Sequence, residues 1–268
     1  MKEAKIIILA GQSNAVGVGH VKYLPNHFSE TEIEKFYDGY PNILINYNSH
    51  DKQSNGFVKT AVNCTEVSKD TLGPEVGIAD SLYKRYPGQE IFIVKCAFGG
   101  TTLYHDWLSP SCRTEKVKSS ERGEGWCYDA LIKILNESIA YLKEKGYSPE
   151  IKAFCWMQGE SDSETLEQVA AYEDLYDHLL CEFKNAFGKY LKNCVYIDGG
   201  ISEIWNCYKE MNSVKSEYAK KSEDRVFIDT IAHGLTTKNE PIEEPDIYHY
   251  DVDCTVKLGQ LFAEHIIF

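Results

Sequence analysis

Short apolar runs alternate along this chain with segments of helical period, and this alternation restricts the fold more than any other feature of the sequence. Strand-like runs lie at Lys5–Ala10, Ile43–Tyr47, Glu90–Cys96, Ile151–Met157, Cys194–Asp198 and Arg225–Asp229. Apolar side chains recur at helical spacing in Glu75–Tyr86, Tyr128–Lys145, Ser163–Phe187 and Cys254–Ile267. Strands that alternate with helices are joined by right-handed crossovers, so we predict an α/β fold with a mostly parallel sheet and helices on both faces. No repeat or linker interrupts the pattern, which favours a single domain over residues 1–268.

The charge balance argues against several classes of partner. The 268 residues carry a formal net charge of −13 at pH 7, whereas binding to nucleic acid or to an anionic membrane requires a basic face. The longest apolar runs, Ile6–Ala10 and Ile91–Val94, are far shorter than a membrane span. The charged start, Met1–Lys5, leads into an apolar run too short for the core of a signal peptide. We therefore expect a cytoplasmic protein with neither nucleic acid nor membrane as partner.

The cysteine pattern favours free thiols over a metal site or a disulfide framework. The chain has nine cysteines, and no two of them have the CxxC spacing of zinc ligands. Cys96, Cys155 and Cys194 lie inside strand-like runs, where a reduced thiol behaves as a small buried hydrophobe. We expect no structural metal.

Two stretches are longer than usual connections between elements. Residues 48–72 are polar and are predicted to form a hairpin or an excursion from the sheet. Residues 109–126 are dense in charge, serine and glycine, and we expect this loop to flank a site.

The first strand-like run ends in Gly11-Gln12-Ser13-Asn14. A serine just past the carboxyl end of a parallel strand lies where open α/β sheets bind their ligands. Gly11 allows a sharp turn there, which would direct Ser13 into the crevice as a nucleophile. The alternative is that Ser13 caps the helix that follows.

Two further strand-like runs end in residues suited to stabilising an oxyanion. Gly99-Gly100 follows one run, and paired glycines let backbone N–H groups approach a ligand closely, although a tight turn would also explain them. Gln158 follows the next run, and its side-chain amide can donate a hydrogen bond to an oxyanion without adding charge. Nearby Glu160 and Asp162 could equally cap the helix that begins near Ser163.

A candidate acid–base pair precedes the last helix. Asp246 stands three residues before His249, a spacing at which the carboxylate can accept a hydrogen bond from Nδ1 and leave Nε2 facing a nucleophile. His233 is a rival base, and Asp251 and Asp253 are rival orienting acids. Three aromatic residues, Tyr104, Trp107 and Trp126, are candidates either for stacking on a substrate or for packing the loop. His105 is a candidate for lining the pocket, and the alternative is a surface histidine.

These segments together resemble the SGNH/GDSL hydrolase superfamily, and within it the branch of sialate O-acetylesterase-like and acetylxylan-esterase-like enzymes, carbohydrate esterase family 6. The resemblance rests on four motifs in order over residues 6 to about 260: Gly11-Gln12-Ser13-Asn14, Gly99-Gly100-Thr101, Gln158-Gly159-Glu160 and Asp246 with His249. Gly73-Pro74-Glu75 also fits the family pattern.

The resemblance implies a flavodoxin-like three-layer α/β/α sandwich that deacetylates acetylated sugars without metal or cofactor. It assigns Ser13 as nucleophile, His249 as general base and Asp246 as its orienting partner. The oxyanion donors would be the Ser13 backbone N–H, an N–H of Gly99 or Gly100, and Gln158. Supporting roles would fall to Gln12, Asn14 and Glu160, with Glu160 bracing the Ser13 loop by hydrogen bonding.

Other functions remain open from the sequence. A carbohydrate-binding protein that has lost catalysis could share this fold, but Ser13, Asp246 and His249 are all present. An esterase or thioesterase for longer acyl chains is disfavoured by the polar loop at 109–126. The expected partner is an acetylated sugar or oligosaccharide, of either xylose-derived or sialic-acid type, and no feature predicts an oligomeric state.

Overall fold

A computed structural model of the protein describes residues 2–50, 52–62, 70–114 and 122–268. The strands in chain order are β1 (Lys2–Gly11), β2 (Gly19–His20), β3 (Tyr40–Ser49), β4 (Lys52–Gln53), β5 (Val58–Thr60), β6 (Thr71–Leu72), β7 (Ile91–Ala97), β8 (Tyr147–Met157), β9 (Leu191–Gly199) and β10 (Arg225–Ile228). The α-helices are α1 (Ser13–Val16), α2 (Glu30–Asp38), α3 (Glu75–Arg85), α4 (Trp126–Glu144), α5 (Leu166–Phe187), α6 (Tyr208–Ala219) and α7 (Val252–Glu264). Short 3-10 helices lie at Val21–Asn26, Pro110–Cys112, Ser161–Ser163 and Gly188–Tyr190.

The main sheet is mostly parallel and has β1 near its centre. Its strand order is β10-β9-β8-β1-β7-β3-β4, with β5 also paired to β3. Within this sheet the pairs β10–β9, β9–β8, β8–β1, β1–β7 and β7–β3 are parallel. The strands β4 and β5 each pair with β3 in the antiparallel direction. Every residue of β1 from Ala4 to Gly11 is buried, as expected for a strand that is covered on both faces.

Helices cover both faces of this sheet. On one face, Asn46 of β3 donates from Nδ2 to Ser138 Oγ of α4 at 2.8 Å. On the other face, Lys95 of β7 forms an ion pair with Glu75 of α3 at 2.7 Å, and α3 packs against α7. The buried side chains form one continuous hydrophobic core. The α/β/α architecture predicted from the sequence is therefore confirmed.

The predicted elements agree with the structure apart from some helix ends. All the predicted strands are present, but the segment predicted as helical from Ser163 begins at Leu166 because Thr165 caps it, accepting a hydrogen bond from the Gln168 backbone N–H at 3.3 Å. The last helix begins at Val252 and ends at Glu264, not at Ile267. Two helices were not predicted from the sequence: α2, whose capping box joins Ser29 and Glu32, and α6.

The two long connections are described only in part. Within residues 48–72, β4 and β5 form antiparallel pairs with β3, so the predicted hairpin is present, whereas 51 and 63–69 lie outside the described residues. Within residues 109–126, the described part holds the turn Pro110–Cys112 and the start of α4, and 115–121 lie outside it. In the part of the chain that the structure describes, no helix is long and apolar enough to cross a membrane.

Candidate active site

The sequence motifs converge at the carboxyl ends of β1, β7 and β8. β1 ends at Gly11, β7 at Ala97 and β8 at Met157. β1 lies between β7 and β8. After β1 the chain adds β3 and β7 on one side of β1, and it then crosses to add β8, β9 and β10 on the other side. The carboxyl end of β1 is thus the topological switch point, where open α/β sheets form their ligand crevice.

Gly11 turns the chain from β1 into this crevice. Its φ is +142°, and a Cβ at this position would lie 1.8 Å from the Met157 carbonyl oxygen, so only glycine fits. The loop is fixed on both sides, because Gln12 N–H donates to Met157 O at 2.9 Å and Phe98 N–H donates to Gly11 O at 3.0 Å. Ser13 is then the first residue of α1 and not its cap, which is Gln12. The helix-capping alternative for Ser13 is therefore wrong.

Ser13 and His249 line the same cleft, which has a volume of about 460 Å³. Its described lining residues are Gln12, Ser13, Val16, Val18, His50, Gly99, Gly100, Ser161, Trp205, Tyr248 and His249. A concave site of this size, with few polar groups on an apolar wall, suits a small organic ligand.

Asp246 holds the imidazole of His249. The distance between His249 Nδ1 and Asp246 Oδ2 is 2.6 Å, and Asp246 Oδ1 accepts hydrogen bonds from the backbone N–H groups of Tyr248 at 3.0 Å and His249 at 3.3 Å. Burial opposes ionisation of Asp246, but these hydrogen bonds and the His249 charge lower its pKa below the ordinary value. An ionised Asp246 fixes the proton of neutral His249 on Nδ1 and leaves Nε2 as an acceptor.

Backbone N–H groups of three cleft residues are available to a ligand. Those of Ser13, Gly99 and Gly100 find no backbone or side-chain acceptor within the described ranges. Gly99 approaches the serine closely, since a Cβ on Gly99 would lie 3.6 Å from Ser13 Cβ. Gly100 has a φ of +70° and open space where a Cβ would stand. This arrangement can place donors around an oxygen that develops negative charge next to Ser13.

The structure does not place Gln158 as a donor to the cleft. Gln158 is fully buried. Its Nε2 donates to Asp162, to the Thr101 carbonyl oxygen at 3.2 Å and to Gln12 Oε1 at 3.3 Å. An amide nitrogen has two hydrogens, and these acceptors already engage both. The prediction of Gln158 as an oxyanion donor is corrected on this ground: its amide braces the loops beneath the cleft.

Asp162 orders the loop that follows Gly100. Its carboxylate accepts hydrogen bonds from the backbone N–H groups of Leu103 at 2.8 Å and Tyr104 at 2.9 Å, in addition to the bond from Gln158. Burial raises the pKa of Asp162 to about 6, against the opposing effect of these hydrogen bonds. Through these hydrogen bonds the Asp162 carboxyl holds the segment after the paired glycines in place.

Asn14 joins the serine loop to the histidine turn. Its Oδ1 accepts a hydrogen bond from Tyr250 N–H at 3.0 Å, and its Nδ2 lies 3.5 Å from the Tyr248 carbonyl oxygen and 2.9 Å from Glu160 Oε1. Tyr248 and Tyr250 flank His249, so one buried side chain next to Ser13 contacts the backbone on both sides of the imidazole. Glu160 is fully buried, and burial raises its pKa above the ordinary value.

Gln12 ties the same loop to the end of β8. Its Oε1 accepts from Ser161 N–H at 3.1 Å, and its Nε2 donates to Ser161 Oγ at 3.2 Å. The side chains flanking Ser13 therefore form hydrogen bonds with two different loops.

Comparison with known families identifies the kind of protein that carries this site. The family model described as carbohydrate esterase, sialic acid-specific acetylesterase, matches residues 3–268. The chain belongs to this family. Membership confirms the predicted class, a carbohydrate acetylesterase and hence an ester hydrolase. A search of curated proteins found no match.

Known structures confirm the fold of this esterase. A protein from Arabidopsis thaliana shares 21% identity with a TM-score of 0.69, covering 97% of this chain and 96% of the other. NanS shares 18% identity with a TM-score of 0.72, covering 98% of this chain and 96% of the other. A carbohydrate acetylesterase from Xanthomonas citri shares 13% identity with a TM-score of 0.61, covering 97% of this chain and 55% of the other.

The rival residues of this carbohydrate esterase lie outside the described lining of the cleft. Asp251 accepts from the backbone N–H groups of Asn239 and Glu240, so it anchors that segment and does not orient His249. His233 also lies away from the cleft, and its carbonyl oxygen accepts from Lys257 at 2.6 Å. Asp253 lies 3.8 Å from His27.

The loop aromatics of the esterase are not among the described residues that line the cleft. Trp107 is fully buried and donates from Nε1 to Thr101 Oγ1 at 3.0 Å. Trp126 donates to Asp106 at 2.9 Å, and the exposed Tyr104 contacts Glu167 at 3.2 Å. His105 pairs with its neighbour Asp106 at 3.3 Å. Of the two interpretations left open for the aromatic residues, the structure supports loop packing for Trp107 and Trp126.

Six described residues of the cleft wall were not predicted from the sequence, and three of them carry a histidine or an aromatic ring. His50 follows β3 directly and has a positive φ of 54°, which is uncommon outside glycine, and its ring would lie 3.1 Å from a Cβ on Gly99. Trp205 lies on the loop between β9 and α6, and Tyr248 immediately precedes His249. Tyr248 stood inside the recognised motif, but nothing in the sequence pairs it with Trp205 or brings His50 to Gly99.

The described residues include one group that could hold a metal ion. Ligand atoms of Asp251, Asp253 and Cys254 lie within 4.8 Å of one another. Because the Asp251 carboxylate already accepts hydrogen bonds from two backbone N–H groups, a structural role for this residue accounts for its position.

Proposed function

We propose that this family member is a serine esterase that removes O-acetyl groups from acetylated sugars, with Ser13, His249 and Asp246 as its catalytic residues. The observation that carries the proposal is the 2.6 Å contact between His249 Nδ1 and Asp246 Oδ2 in a turn whose imidazole shares a cleft with Ser13. The motif set resembling carbohydrate esterase family 6 supports the same assignment. The deciding measurement is acetate release from acetylated xylo-oligosaccharide by wild type and by Ser13→Ala.

The reaction has two acyl-transfer steps. Ser13 Oγ forms a bond to the acetyl carbonyl carbon while His249 Nε2 takes the hydroxyl proton, and Asp246 stabilises the imidazolium that results. The carbon–oxygen bond to the sugar then breaks, and His249 returns the proton to the departing sugar oxygen. Water attacks acetyl-Ser13 with His249 again as base, so that acetate leaves and free Ser13 is restored.

Donors on the cleft wall stabilise the tetrahedral intermediates of both steps. The backbone N–H of Ser13 and an N–H of Gly99 or Gly100 supply the hydrogen bonds to the oxyanion. Among the described residues, none of these N–H groups donates to another protein atom. Backbone donors are held rigidly by the turns at Gly11 and after β7, so little reorganisation accompanies charge development.

Asn14 acts as a positioning residue within this mechanism. We expect Asn14→Ala to lower kcat by roughly 10- to 100-fold while changing KM by less than about threefold, because a displaced imidazole weakens proton transfer more than substrate binding. Steady-state kinetics on acetylated xylo-oligosaccharide checks the split, and Asn136→Ala, which removes an exposed asparagine of α4, is the matched control. A rise in KM at constant kcat would contradict the positioning role.

Nitrophenyl esters of increasing acyl length separate a sugar acetylesterase from an esterase for longer chains. A Cβ on Gly99 would lie at ordinary contact distance, 3.6 Å, from the Ser13 Cβ, so the glycine turn bounds the space beside the scissile carbonyl. We expect kcat/KM to fall by about tenfold or more from acetate to butyrate, since a methylene group that fits poorly is worth roughly 1–3 kcal/mol. A rate that rises with chain length would instead favour the longer-acyl esterase.

A further inference from the structure

The imidazole of His50 lies against the turn that carries the backbone donors of the cleft. His50 lines the cleft together with Ser13, Gly99 and Gly100. A Cβ on Gly99 would lie 3.1 Å from Cε1 of the His50 ring, 3.7 Å from its Nδ1 and 3.6 Å from the Ser13 Cβ. The serine and the imidazole therefore border the same point beside the Gly99 backbone, and the Cε1–Nδ1 edge is the part of the ring nearest to it.

The backbone holds His50 there in an unfavourable conformation. Its N–H donates to the Ala97 carbonyl oxygen at 3.1 Å, directly after the last paired residues of β3 and β7, Ser49 and Ala97. Its φ of 54° is left-handed, and non-glycine residues held in that region cluster at active sites. Within the described ranges, the only other non-glycine residue with a positive φ is Asn193, which is exposed in β9. The strained position at the cleft indicates a role for the His50 side chain.

The oxyanion site has room for a side-chain donor. The amide predicted for this task, that of Gln158, is engaged by three acceptors beneath the cleft. The His50 imidazole forms no hydrogen bond within the part of the chain that the structure describes, and a neutral imidazole always carries one N–H. Histidine is among the side chains that serve as oxyanion donors in acyl transfer.

We propose that His50 is a catalytic residue, whose Nδ1–H donates a hydrogen bond to the oxyanion that forms on the acetyl carbonyl oxygen. The inference rests on the proposed serine esterase function and deepens it by adding a side-chain donor to the backbone N–H groups. When Ser13 Oγ adds to the carbonyl carbon, the carbonyl double bond becomes a single bond and its oxygen gains a negative charge. The hydrogen bond from His50 strengthens with that charge, so it favours the transition state over the bound ester. The proton of His50 stays on Nδ1, and His249 remains the base.

Two substitutions separate the N–H group from the ring. His50→Phe keeps a ring and removes both nitrogens, whereas His50→Asn removes the ring, places an amide near the former Nδ1 and adopts a positive φ readily. We expect His50→Phe to lower kcat on nitrophenyl acetate by about 100-fold, with KM changed by less than about threefold. His50→Asn should stay within about tenfold of wild type, since it keeps a donor.

Asn193→Phe is the matched control for the strained backbone. It places the same side chain at the other positive φ, outside the described cleft lining, and should leave kcat unchanged. Thermal unfolding of this variant measures how much phenylalanine destabilises the fold through a positive φ alone, so a kinetic loss in His50→Phe can be compared with its loss of stability.

Inhibition by trifluoroacetone gives a readout that altered packing would not move. Ser13 Oγ bonds to the ketone carbon, His249 takes the hydroxyl proton, and the negative charge rests on the former ketone oxygen, as in the tetrahedral intermediate. We expect the inhibition constant of His50→Phe to rise by about the factor by which kcat/KM falls, and that of His50→Asn to stay within about tenfold of wild type. An unchanged inhibition constant in His50→Phe, or equal losses in both variants, would overturn the role of His50 as a donor.

The same assay distinguishes failure of this inference from failure of the esterase proposal. If wild type hydrolyses nitrophenyl acetate, Ser13→Ala does not, and His50→Phe is as active as wild type, the serine esterase stands and the role of His50 falls. If wild type unfolds cooperatively but hydrolyses no acetyl ester, the proposed function is contradicted, and this inference with it.

Discussion

Ser13→Ala is expected to lower kcat for acetate release by at least about 10⁴-fold, because removal of a serine nucleophile leaves only the oxyanion donors and substrate binding. The change deletes one oxygen from the first residue of α1, whose backbone is held by the Gln12 and Gly11 hydrogen bonds to neighbouring loops. We therefore expect KM and the free energy of unfolding to stay close to those of wild type. Acetate release from acetylated xylo-oligosaccharide and thermal unfolding measure the two effects.

The control for Ser13→Ala removes a hydroxyl group elsewhere. Ser213→Ala acts on an exposed serine of α6, and its kcat should equal that of wild type. Mass spectrometry of the protein quenched during turnover should detect an added acetyl group in wild type and none in Ser13→Ala. Acetate release that survives the Ser13 substitution would overturn the mechanism. If wild type shows no measurable turnover, and both wild type and Ser13→Ala bind acetylated sugar, the binding-protein alternative would instead be favoured.

Much of the site followed from where motifs stand relative to strands. Ser13, Gly99 and Gly100 each follow an apolar run, and parallel strands bring such positions to one edge of a sheet whatever the loops do. The relation of Asp246 to His249 is local in sequence, so a spacing of three residues was enough to predict their contact. These residues are where sequence reasoning and structure agree.

Features that depend on competition between partners could not be read from the sequence. Gln158 follows β8 as predicted, but its side-chain amide donates to acceptors on Gln12, Thr101 and Asp162 and not to the cleft. Those acceptors come from three separate segments, and no spacing rule ranks them against a substrate oxygen.

The remaining features that were not predicted lie in segments without a regular apolar period. Trp205 lies in a connection without periodicity, so only the folded chain shows that it packs against Tyr248. α6 has a weakly amphipathic sequence and is fixed by tertiary contacts, including an ion pair between buried Lys215 and Asp198 at 2.9 Å. Helical period alone gives little signal for such a helix.

Asp246→Asn is expected to lower kcat by about 10³–10⁴-fold while leaving the shape of the turn intact. An asparagine amide can still accept at Oδ1 from the Tyr248 and His249 backbone N–H groups, but an Nδ2 facing the imidazole would donate to Nδ1 and favour the tautomer with its proton on Nε2. His249 could then no longer take the Ser13 proton. Steady-state kinetics measures the loss, and Asp253→Asn, at an acidic position outside the described cleft lining, is the matched control.

The pH dependence of stability gives this prediction a second readout. Because the pKa of Asp246 is lowered in the folded state, its ionised form stabilises the fold at pH values above the unfolded-state pKa, and this contribution is lost as pH falls through the lowered value. Asp246→Asn removes that contribution, so the difference in free energy of unfolding between wild type and variant should shrink on acidification below about pH 4. A difference that stays constant between pH 7 and pH 3 would show that the carboxylate does not gain from its contact with His249. A low kcat with that flat profile would then reflect displacement of the turn and not the loss of an orienting charge.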